Sequence, residues 1–125
     1  MNEYDKIENY NWHDCPLYAV RFDDELQLDI DYIVEWRELR DLSFEFLIAP
    51  AKLVFFEVEN FEFKVEAELL NGFEINKITQ QQDLWTIELQ EGLIKFKSKG
   101  FKQSLLKEPI WVKNQHLSEE ERKII

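Results

Sequence analysis

The sequence predicts a mainly β, antiparallel fold over residues 1–125, built as a two-layer sandwich or a partly open barrel with a short C-terminal helix. Three observations predict it. Apolar residues alternate with polar ones in one short segment after another, which is the period of a half-buried strand. Polar or glycine-containing breaks separate those segments, and only one stretch, near the end, carries a helix start signal. No repeat, low-complexity tract or Pro/Gly/Ser linker divides the chain, so it reads as a single domain.

The first strand is expected over Leu17 to Phe22, with Tyr18, Val20 and Phe22 on one face and Asp23-Asp24-Glu25 as the hairpin connection. The clearest strand follows. Leu26, Leu28, Ile30, Tyr32, Val34 and Trp36 fall on one face, and Gln27, Asp29, Asp31, Ile33, Glu35 and Arg37 on the other. Glu38 to Leu42 is charged and reads as irregular or as one turn of helix. Phe44, Phe46 and Ile48 alternate again, and Pro50 predicts a bend or a strand edge, since it lacks a backbone donor. Leu53 to Phe56 is apolar on both faces, as a strand covered on both sides would be.

Glu59-Asn60 reads as a turn into an alternating strand, Phe61, Phe63, Val65 and Ala67. Asn71-Gly72 is a further turn signal, because both residues tolerate positive φ. Phe73, Ile75 and Ile78 fit either helix or strand. Trp85, Ile87 and Leu89 alternate, and Glu91-Gly92 closes a hairpin into a strand with Ile94 and Phe96 inward and Lys95, Lys97 and Lys99 outward. Gly100 permits a bend before Phe101 to Leu106. Ser118 then N-caps a short helix whose first turn holds Glu119, Glu120 and Glu121.

Composition bounds the function. A chain of this length buries roughly two-thirds of its unfolded surface, enough for one core without metal or disulfides. The single Cys15 cannot form an internal disulfide, which predicts a reducing, cytoplasmic location. No apolar run approaches the ~20 residues that span a bilayer, and Met1 to Asp5 lacks a signal peptide's basic and apolar regions. The net charge of −11 argues against nucleic acid or an anionic membrane as partner.

That charge is uneven. Residues 1–74 hold 19 Asp+Glu and 6 Lys+Arg, a balance of −13, whereas residues 75–125 hold 7 and 9, a balance of +2. On one reading, the outward Lys95, Lys97 and Lys99 lie across a sheet from outward carboxylates, in pairs contributing only ~0.2–1 kcal/mol each. On the other, Asp23, Asp24, Glu25, Asp29, Asp31 and Glu35 form a segregated acidic face. Such a face is relieved by a cationic partner and steers its association, which makes these residues candidate partner-binding positions for a basic protein.

Trp12-His13-Asp14-Cys15-Pro16 is the most enzyme-like stretch, since His, Asp and Cys could supply base, orienter and nucleophile, with the distant His116 joining only by folding. Adjacent residues of an extended segment point to opposite sides, however, so His13 and Asp14 are not expected to orient one another. Packing of Trp12 and backbone hydrogen bonding by His13 or Asp14 is the simpler role, with Cys15 a small, partly buried side chain. The aspartates of Asp29-Ile30-Asp31 are followed by strand residues, not by a calcium-binding loop, and one Cys with two His is a poor zinc set. With three glycines, no phosphate-cradling loop, nucleophile elbow or dinucleotide fingerprint is present, so no cofactor is expected, and a small-ligand-binding or enzymatic role using His13, Asp14, Cys15 and His116 stands as the alternative to a binding protein. Phe55, Phe56, Phe61, Phe63, Trp85 and Phe96 fall at core periodicities.

Several stretches taken together carry a resemblance: Trp12-His13-Asp14, Leu28 to Trp36, Pro50 to Phe55, the run Gly92…Phe96-x-Ser98-x-Gly100-Phe101, and Gln115-x-Leu117-Ser118. Over nearly its whole length the chain resembles small bacterial proteins of unknown function that begin with an aromatic-His-Asp motif and continue in β-strands. Similar opening motifs occur in immunity-protein families encoded beside polymorphic or contact-dependent toxins. The resemblance implies a β fold and a binding role against a toxin domain. It brings no catalytic residues, and Cys15 stands where small residues such as Ala are usual.

Overall fold

The computed structural model describes residues 3–68 and 72–124. Asn71 of the expected Asn71-Gly72 turn lies outside the described residues, whereas Gly72 takes φ +101°, the conformation that signal required. Among the described residues nine strands follow a short 3-10 turn: β1 (Pro16–Phe22), β2 (Leu26–Glu38), β3 (Phe44–Phe56), β4 (Glu59–Val65), β5 (Phe73–Gln81), β6 (Leu84–Leu89), β7 (Gly92–Lys97), β8 (Gly100–Leu105) and β9 (Ile110–Val112), then helix α1 (Glu119–Arg122). The strands form one antiparallel sheet in the order β4-β7-β6-β5-β1-β2-β3-β8, with β9 on β3. The fold is therefore mainly β and antiparallel, as the sequence predicts, and the sheet is open.

The sheet nevertheless covers its own apolar face. Four interstrand steps of ~4.8 Å would set β3 roughly 19 Å from β6 if the sheet were flat. Instead the Phe55 ring of β3 lies 5.2 Å from Trp85 of β6 and 4.7 Å from Phe96 of β7. The sheet thus curls until its two halves face each other, and Phe101 of β8 joins the same aromatic cluster. The curl is concentrated where the halves meet, because β1 and β5 pair only through Pro16 with Glu74 and Leu17 with Phe73. Leu26, Leu28, Ile30, Leu53, Ile75, Ile87 and Ile94 complete a fully buried core.

Bulges decide which residues reach that core. In β1 the register slips between Leu17 and Ala19, and Leu17 is buried while Tyr18 and Phe22, which share a face with Val20 in the sequence pattern, stand exposed. In β2 the slip falls between Ile33 and Glu35, and the alternation that buries Leu26, Leu28 and Ile30 leaves Val34 and Trp36 outside. In β5 a slip between Ile75 and Lys77 puts both Ile75 and Ile78 inside, which is why their spacing read equally as helix or strand.

Pro50 does not end a strand. It lies buried in the middle of β3, at the one place where that strand changes neighbours: β9 pairs with Phe46–Ile48 and β8 with Ala51–Phe56. Its missing N–H falls in this gap, and its carbonyl accepts from Leu106 N at 2.8 Å. The lysine pairing expected across the second half holds for Lys97, opposite Glu59, and for Lys95, opposite Glu62. Ser118 caps α1 through a capping box with Glu121, as its position before three glutamates suggests.

Gly92 joins β6 to β7 directly opposite Val65 of β4, and a Cβ there would collide with the Lys64 carbonyl. Gly92→Ala is expected to destabilise the fold by about 2 kcal/mol, in the range of overpacking, and to speed amide exchange in β4. Urea denaturation with unchanged stability would contradict this account of the β4–β7 contact.

Candidate functional site

The carboxylates expected on one wet face of β2 meet four different fates. Asp23 and Asp24 are exposed in the β1–β2 connection, beside the half-buried Glu25. Leu26, which follows them, is opposite Phe55, and the exposed Glu57 (φ +51°) comes two residues after Phe55, just past the end of β3. Asp29 is held in a bidentate pair by Arg21, 2.6 and 2.7 Å away on the neighbouring strand. Glu35 is exposed at the far end of β2, eleven residues from Asp24 and so up to roughly 36 Å of extended chain away.

Asp31 is the correction. It shares the outer side of β2 with Asp29, as expected, but it is fully buried, because the C-terminal segment folds over it. Arg122 Nε donates to Asp31 Oδ1 at 3.0 Å and Arg122 Nη2 to Oδ2 at 3.1 Å, while Leu117 N donates to Oδ2 at 2.9 Å. The same guanidinium donates to the Leu117 carbonyl and lies over the Tyr18 ring at 4.4 Å. Leu117 is itself buried, so an apolar side chain and an ion pair together fix α1 to the sheet. Asp31 is a structural anchor and is closed to any partner.

The Trp12-His13-Asp14 motif is built into the fold. Trp12 is buried, stacked on Tyr10 at 5.3 Å and edge-on to Phe101, and its indole N–H donates to Gln103 Oε1 at 2.7 Å. Asp14 takes φ +67°, which breaks the extended geometry that would have separated it from His13. His13 Nε2 therefore comes within 3.4 Å of Asp14 Oδ2, contrary to expectation, while His13 Nδ1 lies 3.2 Å from the Asn76 carbonyl. Asp14 N donates to the Ile75 carbonyl and Ile75 N to the Cys15 carbonyl, so the motif extends the short β1–β5 contact.

Cys15 and His116 do not join this pair. Cys15 is fully buried and its Sγ accepts from Ile33 N at 3.4 Å. Burial pushes its thiol up to about 12, so the nucleophilic thiolate is strongly disfavoured. His116 lines a groove of about 540 Å³ with Tyr18, Glu74, Glu91 and Arg122. Burial, and then the charges of Asp14 and Glu91, raise the Glu74 carboxyl. His13 and Asp14 line a different groove of about 480 Å³, whose wall is aromatic: Tyr32, Trp36, Phe44 and Phe46. Among the described residues no three His, Cys, Asp or Glu side chains are placed to hold a metal ion, and no helix is long and apolar enough to cross a membrane.

The sequence reading missed this aromatic groove. Trp36 is 62% exposed and packs edge-on against Phe44 at 5.5 Å. The only signal available was the run of polar residues after Trp36, where an inward strand would have continued. Set against family models, curated proteins and solved structures, the chain matches none significantly.

Two outcomes follow from these geometries. Asp31→Ala strands a partly buried guanidinium and is expected to cost about 3 kcal/mol, with protease sensitivity rising first after residue 112; an unaffected denaturation midpoint would remove the anchor. For Cys15, stabilisation from the raised thiol is complete below its ordinary value of 9.0 and is lost as pH rises towards about 12. Maleimide labelling at pH 8 should accordingly track unfolding, whereas rapid labelling of the native chain would show an accessible thiol.

Proposed function

We propose that this chain is a non-catalytic binding protein whose partner is a basic protein domain, in the manner of an immunity protein and its toxin, and that the partner docks at the Asp23–Glu25 turn. The observation that carries the reading is the run Asp23, Asp24 and Glu25 at the turn of the β1–β2 hairpin, with Glu57 just past the end of β3, whose Phe55 is opposite Leu26. Asp29 and Asp31 have arginines of their own within the chain, and these four have no ion pair among the described residues. Phe22, 53% exposed and 5.1 Å from Phe61, adds apolar area beside the charge. Charge at a rim raises the rate of encounter and aromatic area slows release, which together suit tight capture of a cationic surface. The resemblance of the Trp12-His13-Asp14 opening to immunity proteins supports the same reading. Its seating in the core suits a motif that builds the scaffold while the contact surface lies elsewhere.

Capture of basic proteins from a lysate of its own cells on the immobilised chain, followed by isothermal titration against the captured domain, tests the proposal. Asp23→Asn with Asp24→Asn is expected to weaken binding roughly tenfold, mostly through a slower on-rate, with an unchanged circular dichroism spectrum. Raising salt should weaken the native pair in the same direction. Binding that ignores both the substitutions and the salt, or no binding, would overturn it.

A further inference from the structure

We infer that the free edge of β2 from Val34 to Glu38 pairs with the same edge of a second copy of this chain. β1 accompanies β2 only as far as Ile30, and the next available N–H on that side, that of Ile33, is taken by Cys15 Sγ. Beyond it β2 is paired along one edge alone, with β3, and every residue from Val34 to Glu38 is exposed. The bulge ends at Glu35; from there to Glu38 the register with Leu47, Phe46, Glu45 and Phe44 is regular. From Glu35 to Glu38, past the bulge, the edge is regular and exposed, which makes it a template for another strand, and neither lysine nor proline guards it.

The occupant follows from the residues along the edge. When two antiparallel copies meet about a two-fold axis through Trp36, Glu35 of each faces Arg37 of the other, Val34 faces Glu38, and no like charges oppose one another. Arg37 is already set in place by Glu45, at 3.0 and 2.8 Å, and by Trp111, whose ring centroid lies 4.0 Å away. Its guanidinium carries five donors, so it can take a second carboxylate without leaving the first. On the opposite side of the strand Trp36 meets its own copy, flanked by the two Phe44 rings, and these exposed aromatic surfaces cover each other. The edge is short, so the dimer is weak and depends on concentration.

This pairing lies at the end of β2 away from the Asp23–Glu25 turn, and salt separates the two. A basic partner at the turn is released by salt. Two copies each carrying −11 repel, so salt tightens the dimer. Analytical ultracentrifugation over a wide concentration series, at low and high salt, is expected to show a monomer–dimer equilibrium that shifts towards dimer as salt rises. Trp36→Ala and Glu35→Arg should each raise the dissociation constant at least tenfold, and Arg37→Glu added to Glu35→Arg should restore it. Arg37 also serves the fold through Glu45, so Trp36→Cys gives an independent readout: mild oxidation should link it to its own copy, with Cys15 buried and silent. A monomer at every concentration and salt would overturn the proposal, as would a dimer indifferent to Trp36→Ala. So would a monomer that binds another protein's extended segment at this edge.

Discussion

An open sheet with no layer of long helices must find something to lay over its apolar face, and here, among the described residues, that cover is its own other half together with Tyr10 and Trp12 of the N-terminal segment. Phe55 is where that requirement is met. Its ring touches Trp85, Phe96 and Phe101, drawing strands from both halves of the sheet to one point. Edge-to-face contacts of this kind add to the area buried and fix the angle at which the halves meet. The short β1–β5 contact lies where the sheet turns to bring those rings together.

The same requirement explains what could be read from the sequence. Where a strand runs without interruption, as in Leu26 to Ile30 or Trp85 to Leu89, alternation places each side chain correctly. A bulge moves every later residue to the other face, and nothing in Tyr18, Val34 or Asn76 announces one. Trp36 is therefore exposed in a segment whose pattern reads as inward. Pro50 failed in the other sense: proline forbids a ladder donor, and the fold meets this by changing neighbours at that residue without ending the strand. β9, with three residues, is too short to leave a period at all.

Charge was legible in amount and less so in position. The acidic balance of the first 74 residues is real, yet two of the aspartates placed on the docking face are spoken for. Asp29 finds Arg21 eight residues away across a hairpin, a pairing within reach of sequence reasoning once the hairpin is drawn. Asp31 finds Arg122, 91 residues away in a short helix, a pairing that no local pattern in the sequence marks. That α1 holds its place owes little to its four residues and much to the carboxylate beneath it, since so short a helix has negligible stability alone.

What gives the molecule two separate surfaces is the mismatch in length between β1, of seven residues, and β2, of thirteen. Had the two been equal, the edge at Glu35 to Glu38 would be hydrogen-bonded within the chain and Trp36 would lie against a neighbour. Because β1 begins only at Pro16, preceded by a motif folded back over Tyr32 and β5, β2 runs on unaccompanied. One end of the strand then presents uncompensated carboxylates, and the other an aromatic edge carrying adjacent Glu and Arg. On the two proposals electrostatics acts on these ends with opposite sign: a basic partner at the first is favoured when ions are few, a second copy at the other when they are many. The two proposed contacts, one with an unlike partner and one with a second copy, thus fall at opposite ends of a single strand.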